Sequence, residues 1–464
     1  MILELLAHQN FADMKYGLDP TFRFTVSRAV YKGMLKYLSD RYDAPYVVQP
    51  LPVRAFSATF GDGMTAQLSW RPAEDPLEET AVPTGYILYT RVDGGAFDKG
   101  RVIKDPVIRD GRVFTEVSLA PDHLYSFKVE AFNEGGRSFP SEILSIGVPA
   151  VTQQGNTVLV VNNFTRLSAP AWFDTPVYAG FDQRLDSGVP FGKEINYIGE
   201  QYQFRRDLPW IDDDNPGFGG SHSNEAGRQI AGNTFDYPSV HGKALMAAGY
   251  QFCSMGADAF AELGGSGCWA VDLICGKQVT VPSGRPGATP DRFAVFPDGL
   301  RKALTDFTAE GGHVLASGSH IGTDLWDRIY PSVPVDSVYQ ATGQDFAQNV
   351  LGFKWLTNYA SRTGQVWTMK CPRMDVGNIP RMGFHHVLNS AVYSAETPDG
   401  LVPASDKSST ILRYSDTDIS AGICHEGAGY RTVVLGFPIE TVTDEDHIQK
   451  LLTAVLAFFK QQKP

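Results

Sequence analysis

The stretch TVLVVNNF (residues 157–164) decides how the longer part of the chain is read. Val158, Leu159, Val160 and Val161 follow one another with no polar residue between them. Such a run has no face for water, so it reads as a strand covered on both sides, as in a parallel sheet flanked by helices. Toward the C-terminus the pattern alternates. HGKALMAAG (241–249) reads as a helix ended by Gly249, and YQFCSM (250–255) as a strand. WAVDLICGKQ (269–278) is a second buried strand. PDGLRKALTDFTAEGG (297–312) places Leu300, Leu304 and Phe307 on one helix face. HVLAS (313–317) turns through residues 318–322 into the helix TDLWDRI (323–329). YRTVVLGFPIE (430–440) gives the last strand. A helix carrying Ile448, Leu451, Leu452, Val455 and Leu456 follows, with a capping-box-like start at Thr443 and Asp446. The alternation predicts an open, mostly parallel sheet with helices on both faces and ligands beyond the carboxyl ends of its strands.

Upstream the period changes to two. AQLSW (66–70), GYILYTRV (85–92) and YSFKVEAFN (125–133) are short alternating strands separated by Gly, Pro and Asp turns. Tyr125, Phe127, Val129 and Ala131 face one way, as a strand of a β-sandwich requires. Still earlier, Ile2 to Leu6 form an apolar run interrupted by Glu4, read as a buried strand. A helix starting at Asp19 and Pro20 follows, with an apolar stripe of Val26, Val30, Met34 and Tyr37 and with Arg28, Lys32 and Lys36 on the other side. This piece is too small to bury a core alone, so another part of the protein must cover it or leave its apolar face exposed. Three domains result: residues 1–48, residues 49–150, and residues 151–464 with a long insert at 165–240.

Composition narrows the function classes. The 464 residues are 43% hydrophobic and 20% charged, a globular balance, with a net charge of -12. Non-specific nucleic-acid binding needs clustered Lys and Arg, so nucleic acid is excluded as a partner. No apolar run approaches membrane-spanning length. The five cysteines, Cys253, Cys268, Cys275, Cys371 and Cys424, are odd in number and contain no CxxC pair. That argues against a disulfide scaffold and a structural zinc site and reads them as small buried hydrophobes.

Three resemblances follow from these residues. Leu119-x-Pro121-x-x-x-Tyr125-x-Phe127-x-Val129-x-Ala131-x-Asn133-x-x-Gly136, with Trp70 upstream, resembles a fibronectin type III domain. Trp70 would be its core tryptophan and Tyr125 its corner tyrosine. The third segment resembles the class I glutamine amidotransferase-like, flavodoxin-like fold. Its nucleophile elbow would correspond to HVLASGSHIG (313–322), where no cysteine stands, and its later His-Pro-Glu motif to Gly436-Phe437-Pro438-Ile439-Glu440, where the histidine is absent. The opening residues resemble the C-terminal end of zinc-dependent N-acetylmuramoyl-L-alanine amidases, with Ala29-Val30-x-x-Gly33-Met34-x-x-Tyr37 as the helix after the catalytic strand. That resemblance implies Glu4 as general base for a zinc-bound water. It also implies that the metal ligands lie upstream, so zinc is expected only if an upstream amidase half is present, and this chain by itself needs no cofactor. The order of the three parts resembles modular secreted proteins of the Bacteroidetes type, some of them labelled xanthan lyase, though the helical toroid of lyases is missing.

Candidate site residues fall into three groups. Glu4 is the amidase-like base. Ser317, Ser319 and His320 occupy the elbow, where a serine could act as nucleophile. His385, His386, His425 and Glu426 are further sources of a base. In the insert, Arg205, Trp210, Asp212, Asp213, Asp214, Phe218 and His222 combine aromatic faces with carboxylates, as sugar sites do. The acidic run lacks EF-hand spacing, so no metal site is assigned. Three readings stand side by side: the inactive C-terminal part of a cell-wall amidase, a non-catalytic glycan-binding module, and a serine hydrolase at the elbow. Each implies peptidoglycan or a polysaccharide as partner and a secreted, periplasmic or cell-surface location. The elbow and the insert should share one ligand site.

Overall fold

The computed structural model describes residues 2–7, 10–104, 106–152, 156–197, 199, 201–205, 218–220, 225–282, 292–329 and 336–461, and only the backbone of 201–203, 205 and 218–220.

Residues 54–148 form an antiparallel β-sandwich. Strands β1 (Arg54–Phe60), β2 (Thr65–Arg71), β3 (Gly85–Val92), β4 (Arg101–Val102), β5 (Val107–Arg109), β6 (Arg112–Ser118), β7 (His123–Asn133), β8 (Gly136–Arg137) and β9 (Leu144–Val148) divide into two layers. One is β1–β2–β6–β5 and the other β4–β3–β7–β9, with β8 on the end of β7. Trp70 is fully buried between them, edge-on to Phe56 and Tyr86 at 6.2 and 5.3 Å. The Tyr125 hydroxyl accepts a hydrogen bond from the Ala120 N–H at 3.1 Å, pinning the turn before β7.

The apolar run is β10 (Thr157–Asn162), buried along its whole length. It lies between β11 (Gln251–Gly256) and β12 (Ala270–Gly276), which is followed outward by β13 (His313–Gly318). All four are parallel. Alternate residues of β10 belong to different cores. Leu159 and Val161 pack with Phe260 of α4 (Ala257–Leu263) and with Leu300 and Leu304 of α5 (Asp298–Ala309). Val158 and Val160 pack with Leu245 of α3 (Tyr237–Ala247) and with Leu451, Leu452 and Val455 of α8 (Glu445–Lys460). That two-sided covering is why the run carries no polar residue.

The expected mostly parallel sheet is corrected to a mixed one. Beyond β13 the sheet continues through β14 (Gln365–Thr368), β15 (Ser408–Tyr414), β16 (Ser420–Glu426) and β17 (Arg431–Leu435). β17 pairs parallel with β13, and β16, β15 and β14 then follow in successive antiparallel pairs. At the opposite edge β11 pairs antiparallel with β1 (Ala58↔Ser254) and with β9 (Gly147↔Phe252). The sandwich therefore covers the edge strand of the sheet, leaving no bare ladder there. Residues of both units share one core, from Trp70 and Phe127 to Leu159 and Leu300.

The opening segment departs most from expectation. Residues 2–7 form no strand and are exposed, Ile2 at 88%. Helices α1 (Phe11–Gly17) and α2 (Pro20–Tyr42) follow, capped by the side chains of Asn10 and Asp19. Met34 and Tyr37 of the expected apolar stripe stand 51% and 67% exposed. The docking face is the polar one: Arg28 pairs with Asp75 at 2.9 Å, and Lys32 reaches the Leu77 carbonyl and Glu78. Phe11 of α1 is buried with Trp172, Phe181 and Phe204 of the insert. The insert is no plain loop, since Trp172–Asp174, Tyr178–Phe181, Gln201–Arg205 and Phe218–Gly220 build a small antiparallel sheet. Two boundaries also move. The helix after the elbow is only α6 (Thr323–Trp326), and α8 is capped by Asp444 rather than Thr443. Helix α7 (Ser337–Phe346) completes the set. No helix of the described residues is long and apolar enough to cross a membrane.

Candidate functional site

The elbow lies where the alternation places it, between β13 and α6. Ser317, Ser319 and His320 are fully buried. Neither serine hydroxyl and neither ring nitrogen of His320 has a hydrogen-bond partner among the described residues. No nucleophile–base pair is formed there. Burial holds the imidazole near 3; Asp186 opposes that shift and Arg166 and Lys277 add to it, so His320 is neutral at physiological pH.

The start of α6 would attract an anion, because its N–H groups point outward without internal partners. The chain fills that place itself. Gly322 N–H (2.6 Å), Thr323 N–H (2.9 Å), the Thr323 hydroxyl (2.5 Å) and the Trp355 indole (3.2 Å) all donate to Asp399. Burial pushes the Asp399 carboxyl up to about 7, against the pull of those donors. The small residues of the turn serve packing as well. A Cβ on Gly318 would come within 2.8 Å of the Cys275 Cβ, and one on Gly322 within 2.8 Å of the Trp355 ring.

Above the elbow the insert closes the carboxyl end of the sheet with a buried ionic network. Arg166 pairs with Asp186, and Lys277 reaches Asp186 at 3.1 Å and Glu396 at 2.6 Å. Lys277 also donates to the Ser187 hydroxyl at 2.9 Å, and Arg166 to the Lys277 carbonyl at 3.0 Å. Burial works against the Asp186 charge, but the two cations hold its carboxyl well below the usual carboxylate range. These charges satisfy one another, so the network is a clasp between the insert and β12. A second buried set sits on the other side of β12. His241 lies between Asp272 (2.7 Å) and Glu440 (3.3 Å), and Glu440 accepts from the Tyr393 hydroxyl at 2.7 Å.

An open concavity lies elsewhere, at the junction of α2, the sandwich and the insert. It is a cleft of about 750 Å³, a size suited to a small ligand. Its walls are two aromatic pairs, Phe24 with Phe139 (5.6 Å) and Phe191 with Phe235 (6.0 Å), joined by Tyr31 and Ile143. Phe139 and Phe191 are 52% and 51% exposed, unusual for phenylalanines next to a preformed cavity. Glu142 lines the same cleft. Desolvation and the neighbouring Asp258 raise its carboxyl to about 8, against a 2.6 Å hydrogen bond from the Asn162 amide. At neutral pH it is a protonated acid and a hydrogen-bond donor. Beside the cleft is a notch of about 20 Å³, room for one water molecule, sharing Arg23 and Glu194 with it. The buried Tyr197 hydroxyl and Glu194 Oε2 line this notch and have no hydrogen-bond partner among the described residues.

Most of the insert residues read as sugar contacts cannot be placed in this picture. Trp210, Asp212, Asp213, Asp214 and His222 lie outside the described residues, and Arg205 and Phe218 are described only as strand backbone. Glu4 is exposed on the irregular stretch 2–7. Among the described residues no group of three or more His, Cys, Asp or Glu could hold a metal ion. Neither His385 nor His386 hydrogen-bonds to the elbow side chains, while His425 meets the Ser408 hydroxyl at 2.9 Å. The residues that matter most at the cleft, Phe24, Phe139, Glu142, Phe191 and Phe235, come from four separate segments and carry no motif.

No protein-family model and no curated protein matches this chain. Among solved structures, it is similar to the fourth fibronectin type III domain of a human protein, with 21% identity over 23% of this chain and 83% of that one, at a TM-score of 0.19. It is also similar to BhCBM56 (11% identity, 20% of this chain and 89% of that one, TM-score 0.15). The exo-beta-1,4-mannosidase Op5Man5 from Opitutaceae bacterium strain TAV5 shares 8% identity over 48% of this chain and 31% of its own, at 0.29. Likenesses this weak decide nothing about what the chain does.

Proposed function

We propose that this chain is a non-catalytic, glycan-associated part of a modular cell-wall or polysaccharide-handling protein, and that a saccharide segment binds in the cleft between α2, the sandwich and the insert. The observation that carries this reading is the pairing of accessible aromatic faces with hydrogen-bonding groups, two of which, the Tyr197 hydroxyl and Glu194 Oε2, have no hydrogen-bond partner among the described residues. Sugar rings present apolar faces that stack on Phe139 and Phe191, while their hydroxyls find Glu142 and Glu194, and the Tyr197 hydroxyl through a water in the adjoining notch. Asp399 in the helix start and the unpaired, buried serines support a non-catalytic elbow. In this reading the sandwich is a fibronectin type III spacer, and the parallel strands in the order β11–β10–β12–β13–β17 belong to a flavodoxin-type, glutamine amidotransferase-like domain. The location is secreted, periplasmic or on the cell surface. In this reading the chain by itself releases no stem peptide.

Calorimetric titration with soluble peptidoglycan fragments and with neutral oligosaccharides tests the proposal. Binding of one of these classes is expected, weakened at least roughly tenfold by Phe139→Ala or Phe191→Ala, since losing one buried aromatic contact costs about 1.5–3 kcal/mol. Both residues are half-exposed, so the variants should keep their fold. Binding that is unchanged in both variants would place the saccharide elsewhere. Binding of neither ligand class would end the reading.

A further inference from the structure

The cysteines are not five separate buried hydrophobes. The sulfurs of Cys371 and Cys424 stand 3.6 Å apart, and those of Cys253 and Cys268 stand 3.8 Å apart. All four are thiols, and the fifth, Cys275, touches only the Asn163 amide among polar partners, at 3.8 Å. We infer that Cys371 with Cys424, and Cys253 with Cys268, are two dithiol pairs that close to disulfides by exchange with a disulfide oxidant, leaving Cys275 as the remaining thiol.

The surroundings of each pair fit that chemistry. Cys424 lies on β16, buried, while Cys371 lies three residues beyond β14 and is half-buried. Arg373 fastens the Cys371 segment to β16 and β15 through Glu426 (2.6 Å) and the Ser409 hydroxyl (3.2 Å), so the two sulfurs remain neighbours. A disulfide needs them about 2.05 Å apart. A hydrogen bond from the Cys424 thiol, together with the N–H groups of Arg373 and Met374 and the Ser409 hydroxyl, outweighs burial and holds the Cys371 thiol near 6. It is the thiolate of the pair at neutral pH, and Cys424 keeps its proton. In the other pair Cys253 is buried on β11, and Cys268 lies on the wall of a surface pocket, where an oxidant can reach it. Burial pushes the Cys275 thiol up to about 12, which keeps it inert.

The exchange balances. The Cys371 thiolate attacks one sulfur of an oxidant such as oxidised glutathione, forming a mixed disulfide and releasing one glutathione thiolate. Cys424 then loses its proton and attacks the Cys371 sulfur, forming the internal disulfide and releasing the second glutathione thiolate. Two protein thiols are oxidised and one external disulfide is reduced to two thiols.

The test uses the full chain, reduced and then incubated with oxidised glutathione, with free thiols counted after acid quench and unfolding. The count should fall from five to three as Cys371–Cys424 closes, and to one when Cys253–Cys268 has followed. Peptide mapping without reductant should identify those two bridges. Cys424→Ser should accumulate glutathione on Cys371, and Cys371→Ser should abolish the first step while leaving the second. The rate of the first step should be level above neutral pH and fall below about pH 6. Five thiols persisting at equilibrium, or a stable glutathione adduct on Cys371 of the unmutated chain, would overturn the inference. None of these readings depends on whether a saccharide binds.

Discussion

His241 shows how one side chain can carry the pH response of the whole chain. It is fully buried, which by itself disfavours its charge, yet Asp272 and Glu440 more than compensate and raise it to about 10. The folded protein therefore keeps a proton that the unfolded chain has already released above its ordinary value of 6.5. The stabilisation is fully present below pH 6.5 and is lost as pH rises through about 10. Glu142, raised to about 8, has the same sign but completes its loss earlier. Between pH 8 and 10 the shifted thiols Cys275 and Cys371 also contribute, so the histidine is isolated by the difference between the unmutated chain and a His241 variant. Urea-derived stability of the unmutated chain should decline across that interval, whereas His241→Gln should be less stable at pH 7 and show a flatter profile. Parallel profiles for the two proteins would contradict the assignment.

At the scale of elements, one buried serine completes the hydrogen bonding of the seam between sandwich and sheet. Ser254 of β11 is fully buried, accepts from the Ser145 N–H at 2.8 Å and donates to the Ser145 carbonyl at 2.7 Å. It replaces two backbone bonds that the irregular pairing of β9 with β11 leaves open. Ser254→Ala would strand both groups of Ser145 away from water. A loss of about 1–3 kcal/mol in urea denaturation is expected. A loss within experimental error would mean that the seam repairs itself. Helix α2 illustrates a different balance. Its apolar residues Met34, Tyr37, Leu38 and Tyr42 are exposed, while Arg28 and Lys32 make its ion pairs with the sandwich and Phe24 packs on Phe139. Periodicity alone assigned those faces the other way round. A stripe of apolar residues predicts burial only where a matching apolar surface exists, and the sandwich offers Asp75 and Glu78 instead.

The molecule as a whole behaves as one packed body across its two largest units. A single core runs from Trp70 to Leu300, and β1 and β9 extend the mixed sheet past β11. The sandwich and the sheet should therefore unfold together. Scanning calorimetry of the full chain should give one dominant transition, and residues 49–150 expressed alone should melt well below it, because they lose the cover over β1 and β9. Two well-separated transitions, one matching the excised sandwich, would refute this.

The strands β10, β11, β12, β13 and β17 and helices α3, α5 and α8 were legible from the sequence, because each buries a pattern of period two, a continuous run or a stripe of period 3.6. The antiparallel strands β14, β15 and β16 were not, since polar residues and glycine interrupt their apolar patterns and only the neighbouring strands supply their pairing. The elbow was found from its turn residues, but its occupant was not. Asp399 lies 77 positions from Gly322, and only the fold brings its carboxylate to the helix start. The cleft is the extreme case. Phe24, Phe139, Phe191 and Phe235 read singly as ordinary core aromatics, and they form a site because α2, the β8–β9 connection and the insert meet. Local hydrophobic order therefore determined which elements form. Which surfaces stay open was decided by contacts between residues far apart in the chain, and no local pattern encodes those.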